Sequence, residues 1–363
     1  MTPLRAALVG VGRIADMHYL GYSATPMAEL TAICDVDPDL LSRRAAEWNV
    51  EKTYTNFDDL LSDPDVDAVD IITPHYLHAP MTIAALEAGK HVTVQKPMAL
   101  SIAEADAMIE AAERTGRLLR VIDNYRFHPP FVRAKQILES GGIGEPMSIR
   151  IKTASGTAPD GWEIPQSSHV WRSDPTLSGD GSVLFDHGHH VWTIARYLLG
   201  DIERVFAYIG ATEVVKHHEI VPGGTLDNPG MIVWKYADRD LYGTCESIHS
   251  EELIVRSTHY PIDASFEITG SRGILYVHKS PNGQLVQRPP IEILHDGSMT
   301  SISNIETDYA AGFRLAIEDF VRAIADGRAS DLTGEEGREV LRFSLAMVRS
   351  GREGREVVVA DER

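Results

Sequence analysis

Apolar residues along the first 125 positions alternate between two textures. Short unbroken runs of strand length, RAALVG (5–10), ELTAICD (29–35), AVDIIT (68–73), HVTVQ (91–95) and LLRVID (118–123), are separated by stretches with apolar residues at helical spacing. Those stretches are PDLLSRRAAEWN (38–49), HAPMTIAALEAG (78–89) and SIAEADAMIEAAERTG (101–116). Punctuation agrees: Asp37 precedes Pro38 at a helix start, Ser101 and Glu104 have capping-box spacing, and Gly89 and Gly116 stand where helices stop. The alternation predicts a doubly wound parallel sheet of the Rossmann type over residues 1–125.

Beyond that point the texture changes. PMSIRIKTAS (146–155), IERVFAYIG (202–210), PGMIVWKY (229–236), DLYGTCESIH (240–249), PIDASFEIT (261–269) and GILYVHK (273–279) follow one another with short turns rich in Gly, Pro and Asp. Helical spacing is confined to about 129–140, 182–199, 305–326 and 334–350. Residues 126–363 are therefore expected to form an α+β domain with a large, mainly antiparallel open sheet, serving substrate binding and oligomerisation.

Charge narrows the partners. With 34 basic and 53 acidic residues the net charge is −19, which repels phosphate backbones and anionic lipid surfaces. No nucleic acid and no membrane partner is expected, and no apolar run approaches the roughly 18 residues of a membrane span. Two isolated cysteines, Cys34 and Cys245, make neither a disulfide scaffold nor a zinc site, and point to a reducing, cytoplasmic setting.

Candidate chemistry begins at VGVGRIA (9–15). Gly10, Gly12 and Ala15 form G-x-G-x-x-A between the first strand and a helical stretch that starts near Arg13. Gly10 suits the tight turn, Gly12 lets a pyrophosphate approach the backbone, and Ala15 permits close helix–strand packing. Asp35, 23 residues after Gly12, ends the second strand where a carboxylate accepts hydrogen bonds from ribose hydroxyls. A 2′-phosphate would meet like charge there, so NAD is expected over NADP.

Two further features are individually weak. Lys96 directly follows a buried-strand pattern and precedes Pro97; it is either a solvated charge or an ammonium held at a site. In GDGSVLFDHGHHVWTIARYLLGD (179–201), Asp186 and His190 are four apart on one predicted helix, a carboxylate beside a candidate general base. The alternative is surface decoration. His187, His189 and His190 point in different directions around a helix and cannot all face one ion, so no metal site is expected and the first two read as packing or second-layer residues.

Taken in order, G-x-G-x-x-A, the acidic second-strand end, TP…H…AL.AGKHV…KP.A, N.RF.P and WR…G.G…D.G.H resemble the Gfo/Idh/MocA oxidoreductases, the family of glucose–fructose oxidoreductase and inositol dehydrogenase, over residues 4–200. The resemblance implies that Lys96, Asp186 and His190 are catalytic. His190 would be the general base on a reacting hydroxyl, Lys96 would steady its developing negative charge, and Asp186 would bind and orient substrate. It also implies a cofactor site of Gly10, Gly12, Arg13, Ile14, Asp35, Thr73, Pro74, His78, Gln95 and Lys96. Arg126, Trp171 and Arg172, with Asp186 and His190, would meet a carbohydrate; Trp162 and Trp171 either offer apolar faces to a sugar ring or pack in the core.

Three positions depart from the family pattern. Gln95 replaces the glutamate before the lysine, His75 the asparagine after TP, and Thr193 the acidic residue three after the histidine. The expected activity is NAD-dependent hydride transfer from a sugar, sugar acid or cyclitol carbinol. Transient oxidation followed by elimination or glycoside cleavage needs the same residues and remains open, as does a non-catalytic dinucleotide-binding regulator. A sheet face without helices, with GMIVWKY and ASFEIT contributing, predicts a homodimer or homotetramer.

Overall fold

Five strand-length runs pair in parallel in the computed structural model, and a sixth short strand joins them at one edge. The structure describes residues 2–162, 171–172, 174–179, 181–216, 219–278 and 280–362. The chain divides into two compact units, Met1–Asn124 with Gly312–Leu341, and Tyr125–Ala311 with Arg342–Arg363.

The first unit runs β1 (Leu4–Val9), α1 (Ala15–Ala24), β2 (Ala28–Cys34), α2 (Pro38–Trp48), β3 (Lys52–Tyr54), α3 (Phe57–Leu61), β4 (Ala68–Ile71), α4 (His78–Glu87), β5 (His91–Gln95), α5 (Ile102–Thr115) and β6 (Leu119–Ile122). The all-parallel order β3-β2-β1-β4-β5-β6 reverses direction between β1 and β4, the place where doubly wound sheets bind ligands. Caps fall where the sequence put them. Asp37 accepts from the N–H groups of Asp39 and Leu40, and Ser101 from that of Glu104. Glu104 reaches back one residue further than a standard capping box, to the Leu100 N–H at 2.9 Å.

A linear division at 125/126 leaves the returning segment 312–341 with the second domain, but it packs within the first unit. It comprises most of α10 (Tyr309–Asp326) and the first turns of α11 (Gly334–Glu353). Small residues let the backbones approach: a Cβ on Gly21 would stand 2.6 Å from Ile317, one on Gly337 2.4 Å from Val121, and one on Gly312 2.2 Å from the Asn124 carbonyl. Arg120, wholly buried on β6, donates to Thr93 Oγ1 at 3.1 Å and lies 3.9 Å from Asp319 of α10.

In the second unit, α7 (Pro129–Glu139), a π-helical turn at Ser182–His187 and α9 (Gly188–Leu199) pack with a nine-stranded sheet; α6 (Asn124–Phe127) and α8 (Pro175–Ser178) are single turns. Its strands are β7 (Pro146–Thr157), β8 (Ile202–Ile209), β11 (Gly230–Tyr236), β12 (Tyr242–Ile254), β13 (Ile262–Gly270), β14 (Gly273–Val277), β15 (Ile291–His295), β16 (Ser298–Ile302) and β17 (Val357–Val358). The hairpin β9 (Thr212–Lys216) and β10 (Glu219–Leu226) pairs separately. The large sheet is antiparallel except where β7 meets β12. Alternation decides its faces: Ile149, Ile151, Ile232, Trp234, Phe266 and Ile268 are buried, whereas the residues between them include exposed Met231 and Val233. Trp192 of α9 meets Trp234 edge-on at 6.0 Å and Phe343 of α11 at 5.1 Å. Fully burying each such side chain contributes about 1.5–3 kcal/mol.

Candidate active site

The glycine loop follows β1 at the switch point. Gly10 has φ +87°, and a Cβ there would lie 2.8 Å from the Ile72 carbonyl oxygen, so both backbone angle and contact demand glycine. Around Gly12 the situation reverses: nothing stands within 4 Å of where its Cβ would be. That open space lies ahead of α1, whose N-terminus at Ile14 has no side-chain cap. Uncapped N–H groups beside an open glycine suit a pyrophosphate. Arg13 stays at the rim, 3.7 Å from Asp16.

Asp35 does more than end β2. Its Oδ2 accepts the Val11 N–H at 2.8 Å and its Oδ1 the Asp37 N–H at 3.0 Å, so the carboxylate shapes the glycine loop. Arg44, the nearby cation, is committed to Asp16 at 2.7 Å and Glu47 at 2.8 Å, and lies over the Trp48 ring.

The ends of β4 and β5 meet at this same end of the sheet. Thr73 and Pro74 follow β4; His78, fully buried, places Nε2 2.8 Å from the Thr73 carbonyl oxygen and Nδ1 2.7 Å from that of Pro97. The ring lies between two turns, one of them adjoining Lys96, and in its neutral form donates to one of the two carbonyls. His75 is also buried, its ring 5.6 Å from that of His78. Gln95 accepts the Lys96 backbone N–H at 2.8 Å, and its amide nitrogen lies 3.2 Å from Nε2 of His18. Lys96 itself is half-buried and is joined to Pro97 by a cis peptide bond.

In the second unit, the helix expected from residue 182 opens with a wider π turn: the Asp186 N–H donates to the Gly181 carbonyl at 3.0 Å. Asp227 explains how that turn starts. Its carboxylate accepts the N–H groups of Val183 at 2.8 Å and Leu184 at 2.5 Å, and a Cβ on Gly181 would lie 2.3 Å from Asp227. Burial pushes the Asp227 carboxyl up, against the pull of these donors.

Asp186 and Arg172 are brought together, the Arg172 Nε donating to Asp186 Oδ2 at 3.2 Å, with the guanidinium 4.3 Å from the Trp171 ring. His190 stacks on Tyr125 at 4.5 Å between centroids, and His187 meets His190 edge-on at 5.4 Å. His189 turns away, its Nδ1 on the Phe185 carbonyl. Among the described residues no set of three metal-ligating side chains is assembled. Arg126 lies 3.7 Å from the Tyr197 ring centroid, and Trp162 packs among His259, Tyr260 and Tyr309. Thr193 is buried on α9.

Sequence reasoning passed over Tyr125, Asn282, Asp227, His18 and Asp70. Tyr125 lies inside the quoted N.RF.P segment but its type points only to packing, and Asn282 lies far away in sequence. His18 does leave a trace, being a polar residue on the α1 face that carries Ala15 and Tyr22. Asp227, in a turn rich in polar residues, leaves none.

Comparison with known proteins bears on both units. Residues 4–122 match the oxidoreductase family with an NAD-binding Rossmann fold, and residues 131–276 match the GFO/IDH/MocA C-terminal domain. Levoglucosan dehydrogenase of Pseudarthrobacter phenanthrenivorans is 35% identical over 96% of this chain and 96% of its own. Myo-inositol 2-dehydrogenase of Thermotoga maritima is 28% identical over 98% of each. A solved structure of a levoglucosan dehydrogenase with NADH and levoglucosan superimposes with a TM-score of 0.83 at 25% identity, covering 99% of this chain and 100% of that one.

Proposed function

The chain belongs to the Gfo/Idh/MocA family of NAD-binding oxidoreductases, and on that premise we propose that it oxidises a carbinol of a sugar, sugar acid or cyclitol, as its levoglucosan and inositol dehydrogenase relatives do. One observation carries this reading. The turn bearing Asp186 and His190 is built to hold them, with Asp227 capping it, Arg172 on Asp186 and Tyr125 stacked on His190. Residues displayed on a surface for solubility need no such support.

In this reading His190 removes the hydroxyl proton of the reacting carbon. Lys96 donates a hydrogen bond to the same oxygen and steadies its growing negative charge, which is largest in the transition state. Asp186 orients the substrate through its own oxygens and through Arg172, and Arg126 and Trp171 contact the sugar. NAD, when bound, supplies the hydride acceptor. Gly10, Gly12, Arg13, Ile14 and the uncapped start of α1 hold its pyrophosphate, and Asp35 its adenosine ribose. Thr73, Pro74 and Gln95 line the nicotinamide side while His78 braces the turn from beneath. Arg44 is closed on Asp16 and Glu47 rather than held for a 2′-phosphate, which supports NAD over NADP.

The second unit serves substrate binding and assembly. Its uncovered sheet face carries Tyr208, Met231, Val233 and Tyr242, all exposed, beside Lys152–Glu246 and Arg150–Glu267 pairs at 3.4 and 3.7 Å. Such a face suits a second copy, giving a homodimer or homotetramer; a monomer by light scattering at working concentration would count against it. Cys34 and Cys245 are buried thiols, with Cys34 pushed up to about 12 mainly by burial. That chemistry accords with a reducing, cytoplasmic setting.

The deciding experiment follows absorbance at 340 nm with purified protein, NAD or NADP, and a panel of levoglucosan, aldoses, sugar acids and inositols. NAD reduction with one group is expected. Silence across the panel, with NADH bound, would sink the dehydrogenase reading.

A further inference from the structure

We propose that Asp70, His18 and Gln95 form a buried hydrogen-bonded chain that positions Lys96, with His18 held as its neutral Nδ1–H tautomer, and that this tautomer is why residue 95 is a glutamine. The inference rests on the assignment of Lys96 to the reacting hydroxyl made above.

The polarity of the chain follows from its last member. The Lys96 backbone N–H can only donate, so the Gln95 atom 2.8 Å away is the carbonyl oxygen Oε1. The amide nitrogen then faces His18 Nε2 at 3.2 Å. An amide nitrogen donates and does not accept, so Nε2 carries no proton. The single N–H of the neutral ring is therefore on Nδ1, directed at Asp70 Oδ2, 2.7 Å away. Neither side chain of the His18–Asp70 pair has any exposed surface. The ring of Phe313 packs at 5.2 Å from the imidazole, and the other ionisable groups acting around Asp70 are Tyr22 and Arg120.

Residue 96 is thereby gripped on both sides. Gln95 holds its N–H from the β5 end, and His78 holds the carbonyl of the next residue, Pro97. A lysine whose main chain is fixed at both neighbours loses less freedom when its ammonium meets a substrate oxygen. A glutamate at 95 would bring only acceptors. One oxygen would take the Lys96 N–H, and the other would face the Nε2 lone pair unless His18 took a second proton and became an imidazolium between two carboxylates. Glutamine at 95 and neutral His18 thus require each other.

The test uses the full chain, labelled with ¹⁵N in histidine and saturated with NADH at pH 7, His18 being assigned by difference against His18→Asn. Wild-type His18 is expected to read as protonated on Nδ1 and unprotonated on Nε2. Gln95→Glu is expected to protonate both nitrogens and to lower kcat about tenfold. A doubly protonated or Nε2–H His18 in the wild type would overturn the proposal, as would an unchanged His18 spectrum in Gln95→Glu. Lys96→Met separates the two readings. If that variant keeps its activity while the nitrogen spectra behave as expected, the catalytic assignment falls and the tautomer chain stands.

Discussion

The ring of Tyr125 lies against that of His190, with centroids 4.5 Å apart and planes 14° from parallel. Its hydroxyl accepts from Asn282 Nδ2 at 2.9 Å, so the phenol cannot swing away without breaking a buried bond. The imidazole proposed as the base thus rests on a fixed plate. Tyr125→Leu should let it tilt and lower kcat/KM about 10- to 100-fold, the scale of an ångström-level misplacement. Tyr125→Phe keeps the plate and should lose much less. Steady-state kinetics with matched thermal melts check this; equal losses in the two variants would assign the effect to the hydroxyl instead.

Lys96→Met and His190→Asn should each reduce kcat by about 10²–10⁴-fold. Neither residue holds the pyrophosphate cradle, so NADH binding followed by fluorescence should stay within about threefold of wild type. Either variant retaining most of its turnover would remove the roles given to these groups.

Asp35→Ala should weaken NADH binding about tenfold or more. The Val11 and Asp37 N–H groups, part-buried and exposed, lose their shared acceptor, at about 0.5–1.5 kcal/mol each. Because Arg44 remains on Asp16, the preference for NADH over NADPH should narrow without reversing. Parallel titrations with both dinucleotides measure it.

Gly243→Ala should destabilise the second unit by about 1–3 kcal/mol through overpacking. The added Cβ would fall 1.9 Å from the Trp234 indole, which is itself wedged against Trp192 and Phe343. Chemical denaturation provides the comparison, with Gly297→Ala a poor control because its φ of +73° is strained in its own right.

Acid stability should depend on Asp63. Burial pushes this carboxyl up, but the Asp65 N–H, Lys52 and Tyr54 all donate to it and hold it at about 2, below its ordinary 3.8. A depressed acid stabilises the fold above its unfolded value and loses that contribution as pH falls through the folded one. The loss should therefore lie between about pH 4 and pH 2. Asp63→Asn should be less stable at pH 7 and show a flatter profile across that window, measured by urea unfolding.

The alternation of runs and helical stretches made the parallel sheet legible, because β4, β6 and the middle of β5 are buried on both faces and carry most of their apolar residues there, interrupted by Asp70, Thr93 and Arg120. Strand β3, with only three half-buried or exposed residues, carries no such string and went unread. Lys96, Asp186 and His190 were visible through motif order. Their supports were not: Asn282 reaches Tyr125 across 157 positions and Asp227 reaches Val183 across 44, and no local pattern encodes a contact made by folding. The π turn was equally hidden, since apolar spacing over six residues does not separate it from an α turn.

The return of residues 312–341 has a consequence for synthesis. Residues 1–124 are made before this segment, and until it emerges Gly21 lacks Ile317, Arg120 lacks Asp319 and the Val121 N–H lacks the Leu332 carbonyl. An arginine with no exposed surface in the finished protein must wait, hydrated, for its carboxylate. The first unit thus closes only once residue 341 is made, and a nascent chain halted at residue 125 would leave that seam unfilled.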